Sequence, residues 1–273
     1  MGGDLGAAVG GLDGWGELAA LAITIGLCTI RLAVAFLVMP TFSNEVMPAL
    51  VRNSVFAVLG LVVAVVQPFD ALQGLSLARL LLILAKEIFL GIAIGVLFGI
   101  FIWAFEAAGE LIDTQTGLSQ AQILDPISGH QVTLFAELFA RFANLLFVSV
   151  GGLAMLATVA LKSFAVWPIG AVLPRIEREG VLLFADTFSG VFTLIVLLGA
   201  PALAVLFLID MGMGLINRFA QRLNVFFLSN SIKSLVAVAM VLLMLPMMIE
   251  TLVRTLDANA ADTLGLLRSL FAS

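Results

Sequence analysis

Six apolar blocks, each close to the thickness of a lipid bilayer, constrain this chain more than any other feature. They run over about Leu18–Met39, Ala49–Val66, Leu75–Phe105, Phe142–Leu161, Thr187–Ile209 and Ile232–Val253. A helix needs roughly 20 apolar residues to cross the hydrocarbon core, and none of the blocks shows the period-two alternation of a barrel strand. Within lipid a helix satisfies every backbone donor and acceptor internally. The fold class that follows is all-α: a multi-span helical membrane protein built of helical hairpins, some of them kinked. Composition agrees, since 62% of residues are apolar and 11% charged, against about 45–50% and 25% in soluble domains. No linker or low-complexity run interrupts residues 1–273, so one membrane domain is expected.

The balance of charge excludes several classes of function. A net charge of −5 with no basic stripe speaks against nucleic acid. Cys28 is the sole cysteine, so no intrachain disulfide or thiolate metal site is available. Residues Met1–Gly16 are glycine-rich and acidic, without Lys or Arg. The first block is therefore expected to remain as a transmembrane or signal-anchor helix.

Some blocks carry charges that a plain span does not need. Arg31 lies inside the first, Arg52 near the start of the second, and Lys86-Glu87 interrupts the third. A charge at a helix centre costs a few kcal/mol to insert, so such groups face protein, water or a partner subunit. Basic residues in the connecting loops divide five against six between the two sides, which sets no orientation by the positive-inside rule. Gly91, Gly95 and Gly99 share one helix face at four-residue spacing, a pattern that lets another helix backbone approach closely. They are expected to serve subunit packing. Pro201, after Gly199-Ala200, predicts a kink in the fifth block. The tail over 254–273 is mildly amphipathic, suited to a surface helix or a docking element.

Between two apolar blocks lies a polar stretch, Glu106–Gln131, holding four carboxylates, four Gln and the only His. Glu106, Glu110 and Asp113 follow i, i+4, i+7 spacing down one helix continuing from Phe105. Gly109 and Gly117 are expected to loosen the backbone, Asp125-Pro126 to end any helix before it, and Gly129 to allow a turn. Two readings stay open from the residues alone: a re-entrant, plug-like hairpin at membrane depth, or a long connector outside the membrane. A second cluster, Asp210–Lys233, combines glycines, methionines and the pair Phe226-Phe227, a composition that suits an adaptable packing surface. Asn224, Phe226, Phe227 and Lys233 are its candidate packing residues.

Catalysis finds no support. His130 has no second ligand at useful spacing for a metal, there is no nucleophile elbow, and no phosphate loop. The chain is expected to be neither an enzyme nor a cofactor or metal binder.

The two polar clusters carry a resemblance. The run AGELIDTQTGLSQAQILDPISGHQ, then Gly151-Gly152, Ser163-Phe164-Ala165-Val166-Trp167-Pro168, Ala200-Pro201, Asp210, Asn217-Arg218, Leu223-Asn224-Val225-Phe226, Ser229 and Ile232-Lys233-Ser234 resemble, in order, the type III secretion export-apparatus protein of the SctT/YscT/HrcT type. That family is related to the flagellar export protein FliR. Two departures from it are Ala220, before Gln221-Arg222-Leu223, and Ser231, positions where the family usually has Pro.

The resemblance implies a subunit of the bacterial inner-membrane export gate of an injectisome or flagellum, a pore-forming hetero-oligomer that passes unfolded polypeptides. Partners implied are the other small membrane subunits and the cytoplasmic-switch membrane protein, toward which the tail would lie; a separate ATPase and the proton gradient would supply energy. It also implies that 106–131 is a pore-plugging segment. The candidate pore residues are then Glu106, Gly109, Glu110, Asp113, Gln115, Gly117, Gln120, Gln122, Asp125, Pro126 and Gly129. The alternative from a different class is an ion- or small-molecule-coupled secondary transporter with Arg31, Asp113 and Asp210 as coupling sites, although the two chain halves show no internal repeat.

Overall fold

The structure is a computed structural model and describes residues 22–42, 48–66, 76–117, 134–170, 178–219 and 225–270. Seven helices make up these residues: α1 Ala22–Val38, α2 Ala49–Val66, α3 Leu77–Thr116, α4 Leu134–Ser149, α5 Gly152–Val166, α6 Arg178–Phe219 and α7 Val225–Leu270. A single 3-10 turn, Pro40–Phe42, follows α1. No strand occurs among the described residues. The chain is an all-α, multi-span membrane protein.

Three of the helices are longer than the apolar blocks that announce them. With 40, 42 and 46 residues, α3, α6 and α7 extend about 60–70 Å at 1.5 Å per residue. That is twice the thickness of a hydrocarbon core. Backbone hydrogen bonding inside a helix is indifferent to side-chain polarity, so α3 passes Lys86-Glu87 unbroken and continues eleven residues beyond Phe105. Likewise α6 stays helical across Pro201 and α7 across Pro246. The fourth block behaves in the opposite way. It breaks at Val150-Gly151, where Gly151 takes φ +84°, a conformation that glycine adopts without steric cost.

By length and composition, three helices can cross a membrane: Leu77–Thr116, Thr187–Phe219 and Phe227–Thr255; α4 and α5 read together make a fourth. The shorter α1 and α2 are apolar. Their burial separates the long helices into two kinds. Inside the molecule, α3 buries 67% of its most apolar window, whereas α6 and α7 bury 28% each. The residues left open on α6 and α7 are large and apolar, among them Phe192, Phe207, Leu208, Leu235 and Leu243.

The chain divides into two compact units. The first comprises α1, α2, α3 as far as Gly99, α5 from Leu153, the start of α6 to Leu182 and the end of α7 from Ala260. In it α1 is packed tightly on both sides. A β-carbon on Gly91 would lie 2.7 Å from Arg31 O, and one on Gly95 would lie 2.5 Å from Ala35 O. One on Gly60 of α2 would overlap Thr29 Oγ1. The small face of α3 is thus filled by α1 of the same chain. The expectation that Gly91 and Gly95 pack against another subunit is revised accordingly, and Gly99 is buried on the same helix. Phe36 and Phe42 meet edge to face at 4.8 Å, with the Phe56 ring tilted against both, which seats the 3-10 turn between α1 and α2. The second unit takes α3 from Ile100, α4, α6 from Leu183, and α7 to Asn259.

Candidate functional site

The first unit encloses the charges that interrupt its apolar helices. Arg31, on α1, and Glu87, on α3, are both fully buried and face each other as a bidentate pair, Nε to Oε2 and Nη2 to Oε1, the latter at 2.9 Å. This fork geometry is the strong form of an arginine–carboxylate contact. Lys86 Nζ lies 2.8 Å from Glu87 Oε1, so one carboxylate serves two cations. The surplus positive charge is met by carbonyls just beyond the end of α5. Arg31 Nη2 donates to Trp167 O at 3.0 Å, and Lys86 Nζ donates to Pro168 O and Ile169 O at 3.0 and 2.9 Å. A helix C-terminus carries partial negative charge on unsatisfied carbonyls, which suits this arrangement. Arg31 also donates to Ser163 Oγ at 3.0 Å and sits 3.8 Å over the Phe164 ring. The run Ser163–Pro168 is therefore the socket of a buried ionic clamp.

In the second unit the polar stretch begins inside α3. Gly109 does not loosen the helix there. A β-carbon at Gly109 would lie 2.6 Å from the carbonyl carbon of Phe135 and 2.7 Å from Ala136 Cα. Its role is to let the first turn of α4 approach α3. Four residues on, Asp113 is fully buried, and its Oδ2 accepts the N–H groups of Phe135 at 2.8 Å and Ala136 at 2.9 Å. Asp113 caps α4 across 22 residues of sequence, doing from a neighbouring helix what an N-cap residue does locally. Glu106, Glu110 and Asp113 keep their one-face spacing but not a common environment: Glu106 is half-buried, Glu110 exposed and Asp113 enclosed.

At the end of α3, Gly117 takes φ +78°. The adjoining polar groups come from α6 and α7. Gln115 Nε2 donates to Asp210 Oδ2 at 2.9 Å, Lys233 Nζ pairs with Asp210 Oδ1 at 2.9 Å, and Lys233 also donates to Gln115 O at 2.9 Å. Ser229 Oγ reaches Asp210 Oδ1 at 3.4 Å. Lys233, expected at a subunit interface, is instead largely buried and engaged within its own chain. Phe227 is 72% exposed. Gln120, Gln122, Asp125, Pro126, Gly129 and Asn224 lie outside the described residues, as does the side chain of Phe226.

Both clusters contain pairings that the sequence reading did not make. Arg31 and Glu87 were visible as opposite charges in two apolar blocks, and their complementarity was the available signal. Asp210 and Lys233 were visible too, yet nothing local indicated that both would converge on Gln115.

A family described as bacterial export proteins, family 1, matches residues 22–258, a stretch containing both clusters. Yop proteins translocation protein T of Yersinia pestis is 33% identical over 219 residues, covering 79% of this chain and 83% of that protein. Flagellar biosynthetic protein FliR of Bacillus subtilis is 30% identical over 247 residues, covering 89% and 94%. Surface presentation of antigens protein SpaR of Salmonella typhimurium is 28% identical over 228 residues, covering 83% and 84%.

Proposed function

This chain belongs to the bacterial export proteins, family 1, and from that membership we propose that it is a structural and gating subunit of a type III protein export gate in the bacterial inner membrane. Its work is to help form a channel for unfolded polypeptides rather than to catalyse a reaction. The observation that carries the reading is the match over 22–258, supported by relatives named for translocation and for flagellar biosynthesis. The exposed apolar faces of α6 and α7 fit a protein whose helices meet lipid and the helices of other small membrane subunits. The polar segment entered at Gly117 fits a plug, since its stems are held among apolar helices by the Asp113 and Asp210 contacts.

The direct test is isolation of the chain from its native host in mild detergent, with mass measurement of the intact complex. A fixed-stoichiometry assembly with other small membrane proteins is expected; a lone monomer or homodimer would contradict the proposal.

A second test targets Gly117. A side chain at φ +78° costs on the order of 1–3 kcal/mol of backbone strain. In addition, the first carbon would meet Asn230 Nδ2 at 3.2 Å. Gly117→Leu is expected to displace the segment and raise the leak of small solutes through the resting complex. Secretion and leak both at wild-type level would count against a gating role for this position.

A further inference from the structure

Polar groups of the second unit meet within helices long and apolar enough to cross a membrane. Gln115 lies in α3, Asp210 in α6, and Ser229 and Lys233 in α7. Asp210 stands nine residues before the end of α6 and Lys233 eight after the start of α7. Each is thus about 12–14 Å from its helix end at 1.5 Å per residue. An ionisable group so far inside an apolar helix needs a partner within the protein or an opening to water, and it marks a site.

The groups around Lys233 are arranged as a receptor for a primary ammonium, which has donors and no acceptor. Nζ lies 2.9 Å from Asp210 Oδ1 and donates to Gln115 O at 2.9 Å. Gln115 is the last residue but one of α3, so its carbonyl is among those a helix leaves without an internal partner. It sits at the end where the helix dipole favours a cation. The carboxylate is itself held in place by groups other than Lys233. Gln115 Nε2 donates to Oδ2 at 2.9 Å, and Ser229 Oγ donates to Oδ1 at 3.4 Å. The Lys233 side chain is only 9% exposed, so its aliphatic stem is enclosed together with the ammonium.

We propose that these oxygens form a receptor for one primary ammonium and that Lys233 is its resident occupant, a counter-ion built into the chain. Asp210, although its side chain is 36% exposed, is therefore no free carboxylate for ions arriving from water. A mobile cation binds there only by displacing a tethered one, whose effective concentration is set by its own backbone. Asp210 is thus removed from the coupling role that a secondary transporter would require of it. Lys233 is a positioning residue, joining the last turn of α3 to α6 and α7 through one ammonium. This role does not depend on which partners the chain assembles with.

The test uses the purified full-length chain in detergent. Lys233→Ala removes Cγ, Cδ, Cε and Nζ, and propylammonium carries those same atoms. The variant is expected to melt below wild type. Propylammonium chloride is expected to raise its melting temperature by about 3–5 °C at concentrations well above the dissociation constant. Sodium, potassium and tetramethylammonium chlorides at the same ionic strength are expected to give no such rise. Wild type, with its receptor filled, is expected to show none with propylammonium.

No rise in folded Lys233→Ala would overturn the receptor. An equal rise with sodium or potassium would overturn it as well, because the site would then take any small cation and Asp210 would regain a coupling role. An equal rise in wild type would place the effect of propylammonium elsewhere, with the same consequence. Should Lys233→Ala yield no folded protein, Lys233→Met and Lys233→Met/Asp210→Asn decide the matter. The double variant leaves no unpaired carboxylate and is expected to be recovered in greater amount; equal recovery would overturn the pairing.

Discussion

Glu87→Ala is expected to destabilise the first unit by about 3–5 kcal/mol, the cost of breaking a buried ion pair from one side. Glu87 is the carboxylate between two buried cations, Arg31 and Lys86, and both are enclosed almost completely. Without it the carbonyls of Trp167, Pro168 and Ile169 remain as acceptors, but they cannot neutralise two full charges. The measurement is thermal unfolding of the purified protein in detergent, read by helical signal or by loss of soluble protein. The double variant Arg31→Met/Glu87→Leu is the informative partner. Removing both charges together with apolar groups of similar volume is frequently near neutral, so this variant is expected to recover most of the lost stability. A melting temperature for Glu87→Ala within a degree of wild type would show that the clamp does not hold α1 and α3 together.

Gly109→Val is expected to have the second large effect, by a steric route. The atoms that a β-carbon would strike belong to the backbone of Phe135 and Ala136, which cannot swing aside as a flexible side-chain end can. The first turn of α4 has to move, and overpacking of this kind costs about 1–3 kcal/mol. Such movement also draws Phe135 N and Ala136 N away from Asp113, adding on the order of 1–3 kcal/mol for a stranded, buried acceptor. Gly190→Ala is the control. No atom approaches within 4 Å of the position a β-carbon would take there, and alanine is better than glycine in a helix by about 1 kcal/mol. Equal stability of Gly109→Val and Gly190→Ala in a detergent melt would contradict the close approach of α3 and α4.

Much of this was legible in the amino-acid order, because the relevant signals are local. Bilayer-length apolar blocks without alternation specify helices, since a helix is the structure that closes its own hydrogen bonds within one segment. Glycines at four-residue spacing specify a flat face at Gly91 and Gly95, and Glu106–Gln131 stands out as polar against its apolar flanks. The resemblance in that stretch and in Ser163–Pro168 pointed to the family that the match over 22–258 establishes. The i, i+4, i+7 spacing of Glu106, Glu110 and Asp113 also carries the third helix past Phe105, and α3 runs to Thr116, because hydrogen bonding along a helix does not register when its side chains turn polar.

Only the tertiary structure decided which faces and charges meet. Periodicity announces that Gly91 and Gly95 receive a helix, but not that the helix is this chain's own α1. Composition announces that Arg31 needs a partner. That the partner is Glu87, 56 residues away, depends on how α1 settles against α3. Asp113 reads as one more carboxylate in a polar run until α4 folds back and sets two backbone N–H groups against it. The spacing of residues along one helix is a property of local backbone geometry, whereas the pairing of distant groups is a property of packing. In an apolar protein, a buried charge is tolerable only where packing has brought it a partner.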